Sequence, residues 1–340
     1  DYALPMDFVA TAEFMYTKSL NDLYYKKLNY TAVNANRTAA SAEGRTILNG
    51  GFDSKGNNFT NVLLLENTDL GYTYNISIQV QRNVARGLSV NTGYTYGRAE
   101  DANSVNSSQA LSQMRYNPIF NDANTPVLGT SQHEVKHRTF FSVSYTEEFL
   151  QGAPTTVSLY YNGQTGSPFS FIVNGDVNGD GYTDNDLFYI PKNAADVTEI
   201  QIGGITGGNF VANATMASAL EAYILNNDYL KENRGKVSKR GGAYNPWRDI
   251  VDLRIAQVLP LVEGHKIELT LDVLNVLNLL NSDWGYNQSI FSTSQIVSLV
   301  GYASNNKPVY SFSKPANNVP WTAESLTSRW AMQLGVRYTF

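Results

Sequence analysis

The sequence predicts an all-β chain, read as an antiparallel transmembrane β-barrel with long extracellular loops. Three observations carry that prediction: apolar and polar residues alternate over long runs, the connections between those runs are alternately short and very long, and the composition is rich in tyrosine and poor in charge. Charged residues supply 16 % of the 340 positions and tyrosine 22 of them, against roughly 25 % charge in an ordinary soluble domain. The most apolar stretch, Leu269–Leu280, is interrupted by Asp272, Asn275 and Asn278. A spanning helix needs ~18 consecutive apolar residues, so the helical membrane class is excluded. A hydrophobic content of 42 % argues against disorder. The net charge of −5 gives no general attraction to nucleic acid, and the absence of cysteine removes disulfides and thiolate chemistry. The chain opens on Asp1-Tyr2-Ala3 with neither an initiating Met nor a leader. It is therefore expected to be processed or cut, with the tail of an earlier strand at its start.

Eight strands are expected, at about 8–19, 61–82, 88–99, 137–147, 155–165, 249–258, 265–275 and 328–340. The first, FVATAEFMYTKS, alternates weakly. In the second, Tyr72, Tyr74, Ile76, Ile78 and Val80 oppose Thr73, Asn75, Ser77, Gln79 and Gln81. In the third, Leu88, Val90, Tyr94 and Tyr96 oppose Ser89, Asn91, Gly93 and Thr95; a tight NVARG turn joins the two. HRTFFSVSYTE and TTVSLYYNGQT supply the fourth and fifth. The sixth sets Val251, Leu253 and Ile255 against Asp252, Arg254 and Ala256, and the seventh sets Ile267, Leu269, Leu271 and Val273 against Glu268, Thr270 and Asp272. The last is the clearest: Trp330, Met332, Leu334, Val336, Tyr338 and Phe340 share one face, Arg329, Ala331, Gln333, Gly335, Arg337 and Thr339 the other. Twelve residues at ~3.3 Å reach about 40 Å, enough to cross a bilayer at a tilt of ~45°. Charges inside strands are costly in a dry core but inexpensive on a face that lines water. Asn75, Ser77, Gln79, Asn91, Arg254, Glu268, Asp272 and Arg337 are accordingly expected to face the lumen.

The long connections fall at about 20–60, 100–136, 166–248 and 276–327, and alternate with short ones. A compact soluble domain seldom needs several loops beyond ~12–15 residues. Outer-membrane barrels have short periplasmic turns and long outer loops, which places the C-terminus on the periplasmic side. An open eight-strand arc would leave unpaired edges in lipid, so strands from upstream sequence or another chain are expected to complete it.

Among local motifs, Asp176-Val177-Asn178-Gly179-Asp180-Gly181-Tyr182-Thr183-Asp184-Asn185-Asp186 resembles a Ca²⁺ loop. It has oxygen ligands at positions 1, 3 and 5, Gly at 6 and a backbone carbonyl at 7. Leu187 replaces the bidentate acid at position 12, so Asp184 and Asp186 have to compensate. The candidate set is Asp176, Asn178, Asp180, Tyr182, Asp184 and Asp186, with Ca²⁺ as the candidate ion; a polar loop of Asx turns is the other reading. His133-Glu134-Val135-Lys136-His137 matches the HExxH zinc motif, but that chemistry needs a helix. In a strand the two imidazoles lie about 13 Å apart. A loop helix is expected within Ala214–Tyr229, and the basic run Arg234–Gly242 is a solvated face or a contact for anionic lipopolysaccharide or substrate. No nucleophilic triad, phosphate loop or carboxylate pair is present, so no enzyme is expected.

Several runs, in order, resemble a known group: YTKSLNDLYYKKLN (Tyr16–Asn29), LLLENTDLGYTYNISIQVQR (Leu63–Arg82), NGDVNGDGYTDNDLFYIP (Asn174–Pro191), KRGGAYNPWRDIVDLRIAQ (Lys239–Gln257) and LDVLNVLNLLNSDWG (Leu271–Gly285), followed by a terminal aromatic. They are similar to the C-terminal barrel portion of TonB-dependent outer-membrane transporters. The strongest likeness is to the Oar-like branch of carboxypeptidase-regulatory-like-domain receptors, known from Bacteroidota and myxobacteria. The resemblance implies that residues 1–340 are the last eight strands of a 22-stranded barrel, whose plug and TonB box lie upstream. It implies uptake of a large or scarce substrate and contact with TonB through that upstream region. It also implies contacts with outer-membrane lipid and lipopolysaccharide, and a surface lipoprotein or other outer-membrane partner on the loops. The alternative is a structural or partner-binding barrel subunit of an assembly or secretion complex. A third reading, a secreted β-sandwich carbohydrate binder, predicts a soluble monomer without detergent.

Overall fold

In the computed structural model, which describes residues 1–29, 33–48, 61–83, 87–262, 264–315 and 318–340, eight long strands form one antiparallel ladder. They are β1 (Phe8–Lys18), β2 (Tyr72–Asn83), β3 (Leu88–Asp101), β4 (His137–Leu150), β5 (Ala153–Gln164), β6 (Arg248–Pro260), β7 (Lys266–Leu274) and β8 (Ala331–Thr339). Each pairs with its sequence neighbour, giving the order β1-β2-β3-β4-β5-β6-β7-β8. The short strand Tyr2–Leu4 folds back on Phe8–Ala10 at the outer edge. Among the described residues no pairing joins that edge to β8. The chain is all-β in class, and no described helix is long and apolar enough to cross a membrane.

Antiparallel pairing carries the period-two pattern coherently from strand to strand, because directly opposed residues share a face. On one face Ile76 opposes Tyr96, Val143 opposes Leu159, Leu253 opposes Val273 and Leu271 opposes Leu334. Much of this face is bare, with Leu334 80 % and Val336 75 % exposed, although Val273 is buried. The other face is polar and cross-linked. Gln79 Nε2 donates to Asn91 Oδ1 at 3.0 Å, Ser158 Oγ to Ser144 Oγ at 3.0 Å, and Arg254 pairs with Asp272 at 3.2 Å. Such cross-strand pairs contribute roughly 0.2–1 kcal/mol each.

One expectation is corrected. The strand anticipated over 61–82 is two, because the chain breaks at Asp69–Gly71. Leu63–Thr68 pairs with Asp22–Lys27 in a hairpin beyond the end of the ladder, and Ser19 N donates to Gly71 O at 2.9 Å at its base. The tight turn between β2 and β3 lies largely outside the described residues. At its end Gly87 has φ +77°, and a Cβ there would meet Thr146 O at 2.0 Å.

Because the strands alternate in direction, all four long connections emerge at one end of the ladder. They are not separate loops but parts of one folded cap. The third and fourth connections interlace in a six-stranded sheet ordered 209–212, 201–206, 308–311, 293–302, 168–174, 243–244. Pro168–Asn174 runs parallel to Thr293–Tyr302, and Gln201–Thr206 parallel to Pro308–Ser311. The run PFSFIV is buried throughout, as expected of a strand covered on both faces. On this sheet lies the helix Ala214–Leu225, started by Asn213, whose side chain accepts from Met216 N at 3.0 Å. The helix buries Ala217, Leu220, Tyr223 and Ile224. The helix expected within Ala214–Tyr229 is thus found, ending at Leu225, and a second short helix, Asp228–Glu232, follows it, capped by Asn227. Phe169, Phe171, Phe188, Leu230, Ile296 and Phe312 complete the cap's core.

Candidate functional site

The cap is stitched together at the acidic turn. Gly179 adopts φ +75°, and a Cβ there would lie 2.4 Å from Leu48 O, so only glycine admits the close approach of the first connection. Asp176 Oδ1 accepts Asp180 N at 3.0 Å and its Oδ2 accepts Gly181 N at 2.8 Å. Asn178 Oδ1 accepts Asp180 N at 3.0 Å, and Asp180 Oδ1 accepts Tyr182 N at 2.8 Å. Asn178, Asp180, Asn185 and Asp186 are fully buried.

The six candidate Ca²⁺ ligands are not gathered into one shell. Asp176, Asn178 and Asp180 stay together as a hydrogen-bonded Asx-turn network. Asp184 turns away to Arg115, whose Nε and Nη2 donate to Oδ2 at 2.7 and 2.5 Å. Asp186 accepts Val177 N at 2.7 Å and Arg45 Nη1 at 2.8 Å. Tyr182 is engaged through its hydroxyl with Asn61 at 2.9 Å. No cluster of three His, Asp or Glu suited to a metal forms among the described residues. The donor set therefore does not fit the six to eight converging oxygens of a Ca²⁺ site; Arg45, Arg115 and Lys27 take up much of its charge.

Two of those cations are buried with the turn, and sequence patterning had not singled them out. Lys27 Nζ donates to Asp180 O at 2.8 Å and lies 4.7 Å from the centre of the Tyr182 ring. Arg45, fully buried, donates to Glu43 Oε1 (2.7 Å), Asp186 Oδ1 (2.8 Å), Phe120 O (3.0 Å) and Leu187 O (2.5 Å), and stacks on Phe120 at 4.6 Å. One guanidinium thus joins three of the four connections. Burial pushes the Asp180 carboxyl up to about 6, reinforced by Asp176. Burial also pushes Asp186 up, with Arg45 pulling it back, and lowers Lys27 against the pull of Asp180 and Asp176.

The HExxH residues serve structure. Glu134 is buried, accepting Ala99 N at 2.8 Å and the Tyr244 hydroxyl at 2.5 Å. His133 Nε2 meets Ser104 O at 2.9 Å, whereas His137 bonds the Tyr94 hydroxyl at 2.7 Å and packs on Tyr96 at 5.3 Å. Half of the basic run is also consumed: Arg234 pairs with Glu221 at 2.5 Å and Arg240 with Asp101 at 2.7 Å, leaving Lys236 and Lys239 exposed.

On the ladder, Asn75, Ser77, Gln79, Asn91, Arg254, Glu268, Asp272 and Arg337 all lie on the polar face. The pairs Gln79↔Gly93, Arg254↔Asp272 and Glu268↔Arg337 fix that parity. Where the ladder meets the cap, a cavity of about 750 Å³ is lined by Arg98, Glu100, Phe120, Asp122, Lys239 and Arg240 among others. The site is thus a polar wall ending in a folded, cavity-bearing cap.

No curated protein matches the chain. The family model described as outer membrane beta barrel domain matches residues 1–305. A two-faced ladder of long antiparallel strands and a match of that extent agree, and the chain belongs to the outer membrane beta barrel domain family.

Proposed function

We propose that the chain forms the C-terminal wall of a TonB-dependent outer-membrane transporter, with the cap outside the cell and the end of β8 in the periplasm. The observation that carries this reading is the division of eight paired strands into a mainly apolar and a mainly polar face, kept in register from strand to strand beneath a single folded cap, with Met15, Phe140 and Tyr160 on the polar side. The apolar face meets lipid, and the polar face lines a lumen. A lipid-embedded sheet cannot leave its edge N–H and C=O groups unpaired, so the free edges at β1 and β8 favour completion by further strands, 22 in all on the resemblance described above. Charged pairs such as Arg254–Asp272 and Arg337–Glu268 suit a wet wall along which a polar cargo moves. The cap's cavity suits capture before passage. Import of a large or scarce substrate, energised through TonB, is what the resemblance described above adds to that arrangement. Outer-membrane lipid and lipopolysaccharide would surround the apolar face, and a surface lipoprotein would seat on the cap.

The test is the full-length protein. A plug and TonB box upstream of Asp1, together with binding of the full-length protein to the TonB C-terminal domain, is the expected result. A full-length reading frame that encodes neither would overturn transport in favour of a structural barrel subunit. The facing of the ladder has its own check. Leu271, opposed by Ile255 and Leu334, replaced by Arg should cost about 2–4 kcal/mol if it sits near the bilayer midplane. Ser77→Arg, opposed on the polar face by Glu13 and Thr95, should cost about 1 kcal/mol or less. Urea unfolding in micelles measures both; equal losses would refute the assigned orientation.

A further inference from the structure

A second cleft, of about 360 Å³, opens between the connection following β3 and the cap sheet. Its volume is that of a small-ligand site. Of its eighteen lining residues one is charged, Arg240, and that guanidinium is already neutralised by Asp101 at 2.7 Å and held by the Gly129 carbonyl at 3.3 Å. The lining is otherwise dominated by uncharged amides and hydroxyls. Several are fixed by one bond each: Asn117 Nδ2 donates to Ala102 O at 3.1 Å, Asn106 Nδ2 to Gln132 Oε1, and Gln113 Nε2 to Ser107 O. A side-chain amide has two donors and a two-lone-pair acceptor, so each keeps capacity for a ligand in a preset orientation. Two aromatic rings line the same cleft in positions that burial does not explain: Phe291 is 82 % and Tyr116 50 % exposed.

We propose that this cleft binds a neutral oligosaccharide. An acidic or phosphorylated ligand would find no uncompensated cation in the lining, and a cationic one no carboxylate. A chain of neutral sugars offers what the lining can use: many hydroxyls for the oriented amides and apolar C–H faces for flat rings. A peptide captured by strand addition would need an unpaired sheet edge. The strands beside the cleft are already paired, Ser170 with Thr293 and Phe169 with Ala243. The inference is independent of transport, since the cleft's chemistry is the same in a transporter or a docking subunit.

The experiment is isothermal titration of the full chain in detergent micelles. The probes are maltohexaose, cellohexaose, xylohexaose and laminarihexaose, with hexagalacturonate and hexaglycine as the acidic and peptide arms. Saturable binding of at least one neutral hexasaccharide is expected, weakened at least tenfold by Phe291→Ala and by Tyr116→Ala. Trp284→Ala, an exposed aromatic outside the cleft lining, should leave it within twofold. Phe291 is too exposed to matter for folding, so its variant decides the matter even if Tyr116→Ala disturbs the cap. Ser292→Trp, which fills the cleft, should abolish binding. The proposal is overturned if no neutral hexasaccharide binds, if hexagalacturonate or hexaglycine binds in their place, or if binding is indifferent to Phe291→Ala and Ser292→Trp.

Discussion

Arg45→Ala is expected to cost about 3–5 kcal/mol of cap stability, because it strands the Asp186 carboxylate in a fully buried position without its cation. The loss exceeds that of one ion pair: the Phe120 and Leu187 carbonyls lose their donor, and the stack on Phe120 disappears. Since the same guanidinium binds Glu43, Phe120, Asp186 and Leu187, three connections should loosen together. Limited proteolysis should cut near 33–48, 115–125 and 176–190 at rates that rise in parallel. The ladder, with its own hydrogen bonds, should keep its resistance to unfolding by detergent and heat. Replacing the fully buried pair by apolar residues, Arg45→Met with Asp186→Leu, should recover part of the loss, because only the Glu43 carboxylate then lacks its cation. A double variant less stable than Arg45→Ala would show that the hydrogen bonds to carbonyls, rather than the charge pair, hold the junction.

Phe171→Ala should cost a similar ~3–5 kcal/mol, the range for emptying a buried aromatic site. The ring is fully buried, 5.1 Å from Phe169 and 5.9 Å from Tyr229, on a strand paired in parallel to the fourth connection. Its removal therefore weakens the contact between the third and fourth connections and the seat of Tyr229, whose hydroxyl accepts Lys239 N at 2.8 Å. Near-ultraviolet circular dichroism and amide exchange over 168–174 and 293–302 read this out directly. Faster exchange in both segments with unchanged exchange in β5 and β6 is expected. Unchanged exchange at 293–302 would mean that the two connections are held elsewhere.

The ladder was legible because its signal is local. A period of two needs only the pleat, and the step from Trp330 to Phe340 carries the facing of β8, which forms over Ala331–Thr339, shorter than the expected 328–340. The turn-and-loop alternation was legible for the same reason. The cap was not. Its parallel pairs join residues far apart, Ser170 with Thr293 and Gln201 with Val309, and no local period announces such pairing. The continuous apolar run PFSFIV was its one visible trace, and by periodicity alone a buried strand cannot be told from a buried helix segment. The acidic turn shows the limit most sharply. Its spacing of Asp, Asn and Gly was plain, and the turn did form, but the partners of its carboxylates come from elsewhere in the chain.

The sequence by itself therefore determined the all-β class, the two faces of the ladder and the end at which the long connections emerge, since each depends on alternation and chain direction alone. Tertiary structure decided that those connections are one folded cap, that Lys27 and Arg45 are buried against Asp180 and Asp186, and that neutral amides and two exposed rings share a cleft. The physical reason is the same in each case: burial and charge pairing are set by which distant segments meet, and a charge's neighbours across the fold decide whether it binds an ion or another side chain.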